Sequence, residues 1–68
     1  MPWYLNVKTE SEHHVIKFAS EQDAKQALAR ARAEVFDHSE YPGGVATVED
    51  QVVLPRSDVT SLTIHEAV

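Results

Sequence analysis

Cysteine is absent from the chain, and with it go disulfide staples, thiolate zinc sites and thiol nucleophiles. No hydrophobic window approaches the roughly 20 residues that a membrane-spanning helix requires, so no membrane partner is expected. Basic residues are few, six against eleven acidic ones, for a formal net charge of −5. Lys8, Lys17, Lys25, Arg30, Arg32 and Arg56 are spread among carboxylates. They do not gather into the positive stripe that displaces counterions from phosphates, which argues against nucleic acid as a direct ligand. Met1–Asn6 has no basic stretch leading into an apolar run, so no signal peptide is read there and a cytoplasmic location is the default.

What is present is one small domain, residues 1–68. A chain of this length buries only about 60% of the surface its unfolded form exposes. At this size a core alone seldom supplies more than about 3–5 kcal/mol. Self-association is one way to supplement that, and a homodimer is expected.

Two stretches near the start alternate in polarity. Trp3, Leu5 and Val7 oppose Tyr4, Asn6 and Lys8; His14, Ile16 and Phe18 oppose His13, Val15 and Lys17. Period two with aromatic and β-branched content predicts strands, joined through the polar Thr9–Glu12. Ser20 followed by Asp23 forms a capping box with the shorter acid, and Glu21 and Asp23 bring negative charge to the positive end of the helix dipole. Ala24, Ala27, Leu28, Ala31 and Val35 then fall on one stripe. The spacing predicts a helix over 21–36.

Asp37–Gly44, with Pro42 and paired glycines, predicts a loop, in which Tyr41 is placed to fold back over the helix end. Val45–Val48 and Gln51–Leu54 read as a hairpin turning at Glu49-Asp50, neither of which is the glycine that tight turns favour. Pro55–Asp58 predicts a single helical or β-turn. Thr60–His65 reads as a strand, with Leu62 and Ile64 inward and Ser61, Thr63 and His65 outward. The fold class is therefore α+β: a small antiparallel sheet with one helix packed on a face, order β-β-α-β-β-β.

A two-residue turn sets Val48 opposite Gln51 and Ala46 opposite Val53. Val45, Val52 and Leu54 then face the helix, and Ala46, Val48 and Val53 lie on the opposite face, with Tyr4 and Val15 as candidates to join them. A sheet covered on one side should be polar on the other; this second face is mixed. Three explanations stand together: a bent sheet closing on itself, a covering partner chain, or a register slipped by one residue.

The candidates for chemistry are weak. His13 and His14 are adjacent on a strand and point to opposite faces; His38 and His65 stand far apart in sequence. A composite metal site from His13, His65 and Glu66 requires the first hairpin and the last strand to be neighbours, and no recognised spacing supports it. No metal or cofactor is expected. The carboxylate pairs Glu10/Glu12, Glu49/Asp50 and Asp37/Glu40 lie in turns, where both members stay ionised and idle rather than tuned apart for acid–base work. Ser11, Ser20, Ser39, Ser57 and Ser61 sit in no glycine-flanked elbow. Gly43-Gly44 precedes a strand, whereas a phosphate cradle leads into a helix.

With no catalytic constellation, the chain reads as non-enzymatic: a protein–protein interaction module that binds itself or another protein. Its candidate binding residues are Trp3, Tyr4, Val15, Val48 and Val53. Trp3 alternates in phase with Leu5 and Val7, which favours the core, although tryptophan also anchors interfaces. The alternative is a small-molecule or metal-binding regulatory domain that uses the surface near Tyr4, His13 and His65.

Overall fold

Strand β1 (Trp3–Thr9) turns back into β2 (His13–Phe18), with Leu5 opposite Ile16 and Val7 opposite His14. Thr9 closes the connection. Its hydroxyl accepts from the Glu12 N–H at 2.8 Å, while its own N–H donates to the Glu12 carbonyl at 2.8 Å. A short hydroxyl side chain gives the backbone a local partner in this way where a turn leaves the ladder. In the computed structural model, which describes residues 1–37 and 44–67, the last strand, β5 (Val59–Glu66), lies on the other side of β1. The sheet order is β2-β1-β5, antiparallel throughout. A bulge at Lys8/Thr9 shifts the β1–β5 register by one residue, and Thr60 there donates from its hydroxyl to the Lys8 carbonyl.

Alternation on three paired strands fixes two faces. Leu5, Val7, Ile16 and Leu62 are buried on one of them, with Trp3, Phe18 and Ile64 half-buried beside them. Helix α1 (Glu21–Phe36) covers this face and touches all three strands. Ser20 stands at its N-cap in an extended conformation and accepts from the Asp23 N–H at 3.2 Å. Of the capping box, this is the half that the structure shows. The predicted stripe is the buried one: Ala24, Ala27, Ala31 and Val35 are inside and Leu28 packs against them. Alanine at the contact brings the helix axis close to the sheet with no loss of helix propensity. A Glu21–Lys25 ion pair, one helical turn apart, forms at 2.9 Å on the exposed side.

The middle hairpin does not extend the sheet. Strands β3 (Val45–Val48) and β4 (Val52–Pro55) pair only with each other, as a separate two-stranded ribbon whose inner side packs on the helix. Here the structure corrects the sequence reading. Val48 lies opposite Val52, not Gln51, and Ala46 lies opposite Leu54, not Val53. Gln51 belongs to the turn, and that one additional residue reverses the inward set of β3. Ala46 and Val48 are core residues; Val45 faces solvent. The apolar second face inferred for this hairpin was a register slip.

The turn is centred where expected. Glu49 and Asp50 both adopt positive φ, 52° and 55°, and the Gln51 N–H closes onto the Val48 carbonyl at 3.1 Å. Two successive left-handed residues make a type I′ turn, which favours glycine at the second central position. Glu49 is held there by Arg30, which donates to both carboxylate oxygens at 2.9 to 3.1 Å. Glu49 is therefore not idle: it ties the turn to the helix. Asp50 is exposed, and Asp50→Gly removes the left-handed penalty at the position the turn type reserves for glycine. That variant is expected to be more stable by about 0.5–1 kcal/mol, net of the extra unfolded-state entropy of glycine. Urea denaturation checks this, and equal or lower stability counts against the turn geometry.

Pro55 ends β4, and Arg56–Asp58 make one 3-10 turn into β5. Arg56 turns back under the helix end, where its Nε–H donates to the Glu34 carbonyl at 2.7 Å. The loop expected over Asp37–Gly44, including Tyr41 against the helix end, His38, Ser39, Glu40 and Gly43, lies for the most part outside the described residues.

Candidate binding face

Among the described residues, no helix covers the opposite side of the three-stranded sheet. Register assigns nine positions to this face: Tyr4, Asn6 and Lys8 from β1, His13, Val15 and Lys17 from β2, and Ser61, Thr63 and His65 from β5. Lys8, His13, Lys17, Thr63 and His65 are exposed, and Val15 keeps 51% of its surface in solvent.

Asn6 is the organising residue, at the middle of the middle strand. It is only 6% exposed although it points away from the core. Its amide reaches diagonally to both neighbouring strands. The Nδ2 group donates to His65 Nδ1 at 2.6 Å, and Oδ1 accepts from His13 Nε2 at 2.9 Å. Diagonal neighbours in an antiparallel sheet are within reach of long side chains. Because one end of an amide only donates and the other only accepts, the two imidazoles take complementary roles. One must present a lone pair and the other a proton. Tyr4 stacks on His65, with ring centroids 5.4 Å apart and planes inclined by 29°. Tyr4, His65, Asn6 and His13 thus form one connected polar and aromatic band across all three strands. Side chains held by packing and hydrogen bonds form a more rigid binding surface than free ones.

The candidate residues from the sequence separate on this frame. Tyr4 and Val15 share the open face. Trp3 points to the helix side, in phase with Leu5 and Val7, and is half-buried there. Val48 is in the core and leaves the set; Val53 stands with Val45 on the outward side of the hairpin. Asn6 was read only as an outward polar position, and its bridging role depends on β5 returning to lie beside β1, a long-range pairing that no local pattern encodes.

His13 and His65 are brought to one face, but Glu66 lies opposite Trp3 and so points to the other side of β5. The composite site is therefore not assembled, and among the described residues no group of three His, Asp or Glu side chains is arranged to hold a metal ion. His14 lies on the helix side and bonds Glu12 at 3.1 Å. A cleft of about 360 Å³ lies between the helix and β3, but its facing charges, Arg30 and Glu49, already satisfy each other. Among the described residues no helix is long and apolar enough to cross a membrane. No protein-family model, curated protein or solved structure matches the chain, so the functional reading rests on the chemistry of this face.

Proposed function

We propose that the protein is a non-enzymatic interaction module that docks another protein on the open face of the β2-β1-β5 sheet. The observation that supports this reading is the connected band of Tyr4, His65, Asn6 and His13 beside the exposed Val15. The band presents an aromatic ring, an aliphatic side chain and fixed polar groups on one surface, the mixture that protein interfaces combine. Less of it has to be ordered on binding, since the hydrogen bonds that orient Asn6, His13 and His65 are already made. A second reading uses the same band as a small-molecule site, favoured by the two imidazoles on either side of one amide.

One experiment separates the two. A photoreactive phenylalanine analogue replaces Val15 in one variant and Arg32, exposed on the helix, in another. Both are irradiated in cells that produce the protein naturally. Position 15 is expected to give a discrete heavier adduct several-fold more abundant than position 32. Equal yields at both positions overturn the docking reading and leave the small-molecule reading in its place.

A further inference from the structure

We infer that the occupant of this face is an acidic, extended segment of a different protein, with two carboxylates four residues apart on either side of an apolar residue. The inference rests on the docking reading above and specifies its partner.

Charge is the first argument. The chain has eleven carboxylate side chains and a net charge of −5, yet none of the nine positions on this face is acidic. The charged side chains there are Lys8 and Lys17, both exposed, accompanied by the imidazoles of His13 and His65. Among the described residues the carboxylates all belong to other positions. A face of opposite sign to the rest of its molecule steers an acidic partner to itself and turns other approaches away.

Self-pairing fails on the same count. A two-fold dimer sets a patch against its own copy. Because none of the nine positions carries a carboxylate, Lys8 and Lys17 find no counter-charge among the same positions of a symmetry mate. A polyphosphate chain is disfavoured too, since two lysines are few to offset its repulsion from an acidic protein.

Spacing is the second argument. Lys17 lies opposite Tyr4, four residues along β1 from Lys8 and one strand across. From strand rise and separation the two lysine positions are about 14 Å apart. An extended chain covers about 13–14 Å in four residues and points residues i, i+2 and i+4 the same way. Glutamates at i and i+4 therefore meet Lys8 and Lys17, and the residue at i+2 falls between Asn6 and Val15, where Val15 supplies exposed apolar surface.

The probe is the blocked peptide Gly-Glu-Ser-Leu-Ser-Glu-Gly, titrated into the isotope-labelled protein while backbone amide signals are followed by NMR. Its glutamine counterpart, a ten-nucleotide oligo-thymidine and a dilution series of the protein alone are run beside it. The acidic peptide is expected to shift amides of β1, β2 and β5, with a dissociation constant of about 1 mM, as suits two screened ion pairs and one apolar contact. The glutamine peptide should bind at least about tenfold more weakly, and raising salt from 25 to 200 mM should weaken the acidic one several-fold. The double variant Lys8→Glu, Lys17→Glu, both at exposed positions, should keep a dispersed spectrum and lose the response. If the glutamine peptide, the oligonucleotide or dilution moves the same amides as strongly, the acidic-partner inference is wrong while the docking face stands. If no probe moves these amides, the acidic-partner inference falls, and the cross-linking yields at positions 15 and 32 decide the docking reading separately.

Discussion

Val48→Asp is expected to unfold the protein, whereas Val53→Asp leaves it folded with stability changed by no more than about 0.5 kcal/mol. The two valines sit five residues apart on one hairpin, and a two-residue turn puts both outward. In the structure Val48 is 1% exposed and packs into the cluster with Ala46 and Leu54, while Val53 is 64% exposed. A carboxylate forced into the Val48 site loses its hydration without a partner, at an effective cost of several kcal/mol, and takes valine packing with it. A core of this size seldom supplies more than about 3–5 kcal/mol, so the population shifts to the unfolded state. Far-ultraviolet circular dichroism with a urea titration reads both variants. Two folded variants of equal stability would show that β3 turns Val48 to solvent and that the two-residue turn is right. A folded Val53→Asp and an unfolded Val48→Asp confirm that Gln51 belongs to the turn.

That hairpin marks where sequence reasoning works and where it stops. The helix was legible from end to end because its information is local: Ser20 at the cap, Asp23 three residues on, and an apolar stripe whose period has one structural solution. The first hairpin was legible for the same reason, since alternation in Trp3–Lys8 and His13–Phe18 fixes which side each residue takes. Pairing of β3 with β4 depends on how many residues the turn consumes. Glu49 and Asp50 adopt left-handed conformations without the glycine or asparagine that would announce the turn type, so one residue of uncertainty became an inverted strand. The side-chain constellations depend on longer-range events still. Asn6 joins residues seven and 59 positions away, and its neighbours become a site only once β5 has docked on β1. Tyr4 and Val15 were visible as outward apolar positions; that they share a face with Lys8, Lys17 and two imidazoles, and with no carboxylate, required the sheet order.

The same long-range logic governs the C-terminal end of the helix, where Arg56→Met is expected to destabilise the protein by about 1.5–3 kcal/mol. A helix leaves its last four carbonyls without intrahelical donors and gathers partial negative charge there. Lys, Arg or His in the last turn normally answers this, and α1 has none. Arg56, 22 residues from Glu34, does so instead from the 3-10 turn after β4. Its guanidinium donates to the Glu34 carbonyl at 2.7 Å, and its side chain is only 13% exposed. Its backbone N–H donates to the Gly44 carbonyl at 2.9 Å, which ties the start of β3 to the same point. Methionine keeps most of the apolar stem and removes the charged donor, so the loss reports the hydrogen bond rather than a cavity. In a domain this small the change lowers the melting temperature by about 10 °C. Arg56→Lys should recover only part of it, because a single ammonium does not reproduce the planar guanidinium donor. Glu34→Gln tests the remaining contribution: the carboxylate is 3.8 Å from the guanidinium and half-exposed, so its removal should cost less than about 0.5 kcal/mol. If Arg56→Met melts with the wild type, neither the hydrogen bond nor the ion pair stabilises this end, and another donor satisfies it; if Glu34→Gln costs as much as Arg56→Met, the ion pair rather than the carbonyl bond carries the stabilisation.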